Sequence, residues 1–435
     1  MTDSAGIPGG TDPAGGAPKP PRSRRRRLLR WIGLGAACTV LTGSASGWWL
    51  YKKLDGNITE DTSAAAELLR YERDRPAHFA DGAQNILLIG SDSRSGKDNA
   101  RYGPDQSGQR SDTTILLHLP ADRRSATAVS IPRDLMADVP ACLMTDGRRT
   151  PEQFAQFNWA FQWGGAACTI RTTEKLTGIR IDHHMVIDFG GFKQMVDAIG
   201  GVEVCLKQPV DDSEAKLRLP AGRQTLQGEQ ALGFVRARYS LGNGSDTERM
   251  ERQQQFLGSL VKKVQSNGVL LNPARLYPLL DAATSSVTTD PGLASLRGLY
   301  ELVRGVRDIP TDQVKFLTVP RRPYSANPNR DELAEPDAAR LFEQLRTDKP
   351  VTVAPPKPES AIEPAEATPS VTDPAKATPS FTGPAEATPS VTGPAEARPR
   401  AAEPSGPGET PGGTTTPPAP VPTFTGTTAG IADCR

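Results

Sequence analysis

The stretch "RSDTTILLHLPADRRSATAVSIPRD", residues 110–134, decides the fold. Its two runs at 113–119 and 126–132 are rich in Ile, Leu, Val and Thr, and the linker between them, "PADRRS", is polar and opens with proline. That pattern predicts a hairpin of antiparallel strands. Apolar residues follow one another within the runs, so both faces of these strands are expected to be covered. An earlier run, "NILLIG" at 85–90, has the same character. If it lies antiparallel to the strand at 113–119, three groups of charge meet on one edge of the sheet: Asp92 and Arg94 after the first strand, Arg110 and Asp112 before the second, Arg133 and Asp134 after the third.

Helical periods occur in "EQFAQFNWAFQWGG" (152–165), "TIRTTEKLTG" (169–178) and "FKQMVDAIGG" (192–201), the last ending in glycines suited to a C-cap. "HHMVIDF", "GVEVCL" and "VKFLTVP" read as further strands. The expected fold is α/β, a three-layer α/β/α sandwich with a mixed central sheet. Two later segments add to the charged edge. Arg236 and Arg238 in "GFVRARY" lie two positions apart and share a face in extended backbone. In "DTERMERQQQF", Asp246, Arg249 and Gln253 form one helical stripe, whereas Glu248 and Arg252 read as a solvated i,i+4 pair on another.

The 51 basic and 50 acidic residues give a formal charge of +1, so no whole-chain field favours nucleic acid. Basic residues do cluster in "RSRRRRLLR" at 22–30, directly before the uncharged segment "WIGLGAACTVLTGSASGWWL" at 31–50. About 20 apolar residues span a bilayer, and tryptophans mark both ends. A cleaved signal peptide competes through "SAS" at 44–46, but the late arginine cluster and the continuation through Trp48 and Trp49 favour an uncleaved anchor. The organisation expected is a disordered cytoplasmic leader (1–27), a transmembrane helix (28–50), a stalk (51–80), an extracellular folded domain (81–348) and a disordered Pro/Thr/Ala-rich tail (349–435). That tail repeats "PAEATPSVTD" and its variants, a composition without core-forming residues, and at ~3.1 Å per residue it reaches on the order of 200 Å.

Five cysteines include no CxxC pair, and four scattered histidines make no metal cluster. Disulfides suit an exterior location, with Cys142 and Cys168 the preferred pair, while Cys205 and Cys434 either pair or stay free. No GxSxG elbow supports nucleophilic hydrolysis. Arginine forks match phosphate oxygens, and aspartates suit Mg²⁺ bound beside phosphate, so the charged edge points to a polyanion with a cation.

The blocks "NILLIGSDSR", "RSDTTILLHL", "AVSIPRDL", "HHMVIDFGGFKQMVDAIGGVEV", "LQGEQALGFVRARY" and "DTERMERQQQF" resemble the successive motifs of the LytR-CpsA-Psr family, and the terminal "GIADCR" resembles the tails of its actinobacterial members. The resemblance implies a phosphotransferase that moves a glycopolymer from a polyprenyl pyrophosphate carrier onto peptidoglycan outside the cytoplasmic membrane, with no nucleic-acid partner. By the same resemblance Asp92 and Asp112 hold Mg²⁺ or Mn²⁺, and Arg110, Arg133, Arg236 and Arg238 clamp the pyrophosphate. Arg94, Asp246, Arg249 and Gln253 complete the pocket, the lipid lies in an apolar tunnel between sheet and helices, and Arg133, Asp92 and Arg110 are the catalytic candidates. A polyprenyl pyrophosphate hydrolase using the same residues is one alternative. A wall-binding or regulatory membrane protein, such as a transcriptional attenuator, is another.

Overall fold

A computed structural model describes residues 22–78, 80–92, 110–237, 246–266, 273–355 and 422–431. The central sheet consists of β1 (Thr59–Glu60), β2 (Gln84–Ser91), β3 (Ser111–Leu119), β4 (Ala126–Ile131), β5 (His183–Asp188), β6 (Val287–Thr289), β7 (Val314–Thr318), β8 (Thr352–Ala354) and β9 (Thr423–Thr428). They lie in the order β1-β6-β5-β2-β3-β4-β7-β9-β8. β2, β3 and β4 are successively antiparallel, with Leu87 opposite Leu116 and Leu116 opposite Val129. β5 joins β2 in parallel and β7 joins β4 in parallel, so the sheet is mixed.

The helices are α1 (Arg22–Asn57), α2 (Thr62–Arg70), α3 (Asn158–Thr177), α4 (Phe189–Ala198), α5 (Gly228–Arg236), α6 (Asp246–Ser266), α7 (Pro273–Ser285), α8 (Leu296–Val306) and α9 (Asp337–Arg346). Side chains that alternate along the strands enter different cores. Leu87, Leu116 and Val129 pack with Phe161 and Ile170 of α3 and Leu341 of α9, whereas Ile86, Ile115 and Ala128 pack with Leu257 of α6 and Leu302 of α8. Helices therefore cover both faces, which is the three-layer sandwich.

Three segments depart from expectation. Residues 51–80 are not a stalk: α1 continues to Asn57, β1 joins the sheet edge, and α2 buries Ala64 in the core against Leu68 and its neighbours. Within "EQFAQF", Gln153–Gln156 is a strand paired with Met136–Val139; the cross-strand ladder overrides a helical period too short to stand alone. The disordered tail expected over 349–435 is interrupted at both ends, because β8 and β9 are strands of the central sheet and Phe424 and Ala429 are buried. "TFTGTT" is a threonine- and phenylalanine-rich strand sequence inside a composition that, averaged, hides it. The leader before residue 22 and the repeats at 356–421 lie outside the described residues. "GVEVCL" is a strand, but it pairs with Gly222–Leu226 outside the central sheet.

Cys142 and Cys168 form a disulfide, Cys205 is also disulfide-bonded, Cys38 is free, and Cys434 lies outside the described residues. The first bridge sets the shape of α3. A Cβ on Gly164 would lie 2.8 Å from the Cβ of Cys168 and 3.1 Å from that of Cys142, and Gly165 takes φ +59°, so the glycine pair kinks the helix around the bridge. α1 contains Leu28–Asn57, a segment long and apolar enough to cross a membrane.

Replacing both Cys142 and Cys168 with serine should lower unfolding stability by about 3 kcal/mol, the closure entropy of a loop of this length, as measured by denaturant titration. Phe424→Ala should cost about 3–5 kcal/mol as a buried aromatic truncation; an unchanged midpoint would mean that β9 is not part of the folded core.

Candidate active site

Strand polarity assembles the site. The C-terminal end of β2, the N-terminal end of β3 and the C-terminal end of β4 share one edge, which brings Asp92, Arg110, Asp112, Arg133 and Asp134 together. A ladder irregularity between Gly90 and Ser91 turns the end of β2 outward. There the backbone N–H of Arg110 donates to Asp92 Oδ1 at 2.6 Å, the N–H of Asp92 donates to the Arg110 carbonyl at 3.0 Å, and Arg110 Nε donates to Gln162 Oε1 at 3.1 Å.

Arg133 is the hub. Its guanidinium lies 3.0 Å from Asp112, 3.3 Å from Asp134 and 3.5 Å from Asp246. Burial works against this charge, and the carboxylates of Asp246, Asp112 and Asp134 more than offset it, so the Arg133 pKa is raised. Asp246 also pairs with Arg249 at 2.7 Å. Asp246, Arg249 and Gln253 do share α6, but Asp246 lines neither cavity of the site; it stands behind the two arginines as their counter-charge rather than on the pocket rim. Gln253 donates to the Val235 carbonyl at 3.1 Å and so ties α6 to α5.

Two further expectations are corrected. Arg236 is the last residue of α5, not part of an extended segment; its guanidinium sits 4.6 Å from the Phe189 ring centroid, facing the cavities. Arg252 does feel the charge of Glu248, but it is buried rather than solvated, and it donates to the Ala237 carbonyl where the chain leaves α5. Burial lowers its pKa. Arg94 and Arg238 lie outside the described residues.

Two cavities adjoin at this edge. A polar basin of 410 Å³ is lined by Asp92, Arg110, Asp112, Arg133, Asp134 and Arg236, joined by Gln156, Asn158 and Arg330. A cavity of 420 Å³ shares Asp112, Arg133, Phe189 and Arg236 with it and runs between the sheet and α4, α5 and α6, among Leu88, Ile115, Phe192, Leu232, Phe256 and Leu257.

Sequence reasoning missed Gln156, Asn158 and Arg330. Arg330 comes from a hairpin of Arg321–Tyr324 with Asn327–Leu333 that bridges back to the segment after β4, where it donates to Asp134 at 3.1 Å. Nothing in "NPNRDEL" signals that return. Gln156 donates to the same carboxylate at 2.5 Å, and Asn158 Oδ1 is a buried acceptor without a partner at the wall of the basin. Among the described residues no group of three or more His, Cys, Asp or Glu forms a metal cage. Asp92 and Asp112, two carboxylates in one basin, fit instead the manner in which Mg²⁺ takes one or two carboxylates and completes its shell with phosphate oxygens.

An arginine-lined basin thus opens onto an apolar cavity at one edge of the α/β/α sandwich. The chain belongs to the LytR_cpsA_psr family, whose model matches residues 55–347. It is 34% identical over 334 residues to the cell wall biosynthesis protein LcpA of Corynebacterium glutamicum, covering 71% of this chain and 62% of that protein. The chain thus spans less than two thirds of that relative's length. It is also 27% identical over 308 residues to the polyisoprenyl-teichoic acid–peptidoglycan teichoic acid transferase TagT of Bacillus subtilis, covering 67% of this chain and 88% of TagT. The LytR-Csp2A-Psr enzyme of Actinomyces oris shares the fold, with a TM-score of 0.50 at 20% identity over 62% of this chain and 93% of that one.

Arg330→Ala should weaken binding of inorganic pyrophosphate by about tenfold or more, the loss of one charge-assisted hydrogen bond, in calorimetric titration of the full chain. Arg340→Ala, on exposed α9 surface, should leave it unchanged.

Proposed function

We propose that this protein is a membrane-anchored phosphotransferase that moves a glycopolymer from a polyprenyl pyrophosphate carrier onto peptidoglycan, with α1 as its single transmembrane anchor, the N-terminus cytoplasmic and the domain outside. The observation that carries the proposal is the junction of the two cavities. A pyrophosphate held by Arg110, Arg133, Arg236 and Arg330 in the basin leaves an attached polyprenyl chain at the mouth of the apolar cavity. The activity for which TagT is named, transfer of teichoic acid from a polyisoprenyl-linked form to peptidoglycan, supports the same reading.

In this proposal the acceptor hydroxyl oxygen attacks the phosphorus that bears the glycopolymer. The bond from that phosphorus to the bridging oxygen breaks, polyprenyl phosphate leaves, and a phosphodiester joins glycopolymer to peptidoglycan. The hydroxyl proton passes to a carboxylate of the basin. Phosphoryl transfer asks the protein chiefly to position the groups and stabilise charge, which the arginines do here. Among the described residues, the basin sets the arginines 110, 133, 236 and 330 against the aspartates 92, 112 and 134. Asp92 and Asp112 would hold Mg²⁺, which when bound supplies the additional neutralisation.

The test uses the full chain in detergent with a synthetic polyprenyl pyrophosphate glycolipid, peptidoglycan oligomers and Mg²⁺, read by mass spectrometry. The expected product is a phosphodiester-linked glycan–peptidoglycan adduct, reduced by about 10²-fold or more in Arg133→Ala and in Asp112→Ala. Cleaved carrier without adduct would make the protein a pyrophosphate hydrolase, and no turnover with any donor would make it a binding protein.

A further inference from the structure

α8 carries more apolar surface than the domain covers. Its Leu302 and Val306 pack beneath it against the sheet. At about 100° per residue the apolar arc continues past them through Leu299, Val303, Leu296 and Tyr300. Tyr300 is 56% and Val303 45% exposed, one turn apart on that uncovered arc. Arg297 and Arg304 border it, and Arg307 caps the end; all three are exposed. Arg304 faces Glu301 at 3.9 Å and Arg307 faces Asp308 at 3.2 Å, while Arg297 has no acidic partner among the described residues.

The position of α8 identifies what lies against it. The backbone N–H of Leu296, its first residue, donates to Asp55 Oδ1 of α1 at 3.0 Å. Lys53 pairs with Asp281 of α7 at 3.3 Å and Asn57 donates to the same carboxylate at 3.1 Å, so the end of α1 is built into the domain. Asp55 is five positions beyond Leu50, where the uncharged run ends after Trp48 and Trp49. That is roughly 7.5 Å of helix, and the polar layer of a bilayer extends roughly 5–8 Å beyond its hydrocarbon on each side. With no flexible linker between anchor and domain, the start of α8 is held at the edge of the headgroup layer.

We infer that the exposed face of α8 seats on the membrane as an interfacial helix, with Tyr300 and Val303 at the acyl boundary and Arg297 among lipid phosphates. The inference rests on the reading of α1 as a membrane anchor. An amphipathic helix with an apolar stripe flanked by arginine is the form such contacts take, and an aromatic ring with a polar tip suits the interface.

The experiment uses the full chain with Cys38→Ser and one introduced cysteine at a time, Tyr300→Cys, Val303→Cys or Arg322→Cys, labelled with an environment-sensitive fluorophore. Arg322 is an exposed position in the hairpin beside the basin. Each protein is reconstituted into phosphatidylcholine–phosphatidylglycerol vesicles, with and without nitroxide-bearing lipid. Labels at 300 and 303 should be quenched on the order of threefold or more over the label at 322. Arg297→Glu should lessen the quenching at 300 in phosphatidylglycerol vesicles. Equal quenching at the three positions in a chain that co-floats with vesicles would overturn the seating of α8 while leaving the anchor intact. A chain that does not co-float would overturn the anchor reading and this inference with it.

Discussion

The guanidinium of Arg133 is the point on which the site depends. Three carboxylates from three segments, Asp112 at the start of β3, Asp134 after β4 and Asp246 at the start of α6, converge on it within 3.5 Å. A half-buried arginine without partners would carry an uncompensated desolvation cost, and aspartates brought together without it would repel. The mutual requirement fixes the end of the hairpin against the first turn of α6. Asp246 then extends the constraint to Arg249, and Asp134 extends it to Gln156 and Arg330. The charges that line the basin are thus also what closes this edge of the fold, so the basin's arginines are oriented before any ligand enters.

Much of this geometry was legible in the sequence because it follows from strand polarity. Once "PADRRS" is read as a turn and "NILLIG" as the antiparallel neighbour, Asp92, Arg110, Asp112, Arg133 and Asp134 must share an edge. The stripe of Asp246, Arg249 and Gln253 follows from helical spacing in the same way. Illegible were the contributions that depend on where a distant segment returns. Arg330 sits in a polar hairpin that docks through distant partners: a bridge from Leu135 to Asp331, the Arg330–Asp134 pair and the ring contact of Tyr324 with Phe154. Arg236 looked extended because "VRARY" has strand character, yet α5 continues through it under a capping box at Gln227 and Gln230. Composition misled at the two ends of the domain, where polar sequence at 59–70 and Pro-rich sequence around β9 each conceal a short element whose few apolar side chains are buried.

The return of β9 changes how the sheet ends. A strand inserted between β7 and β8 has both of its edges hydrogen-bonded, antiparallel on one side and parallel on the other. The chain thus leaves the central sheet after Ala354 and re-enters it at Thr423, on the strand next to the one it left. β9 also covers β7, which would otherwise present an open edge beside β4, and buried edges do not recruit other chains.

The proposed seating of α8, taken together with the proposed lipid-linked donor, would give the apolar cavity its reason. Gly305, near the end of α8, faces Arg123 in the turn between β3 and β4, whereas Arg133 and Asp112 stand at the opposite ends of those strands. β3 has nine residues, so with α8 on the membrane the basin is raised by something on the order of 30 Å along the strand direction. An anionic head group at that height must draw part of its lipid chain out of the bilayer, and each methylene exposed to water on the way would cost about 0.8 kcal/mol. The cavity between the sheet and α4, α5 and α6 supplies apolar wall where that chain has to pass, among Leu88, Ile115, Phe192 and Leu257. In that arrangement the height of the basin and the presence of the cavity are one requirement: a site placed out toward the wall can be served by a lipid-linked donor only if the protein shelters the lipid.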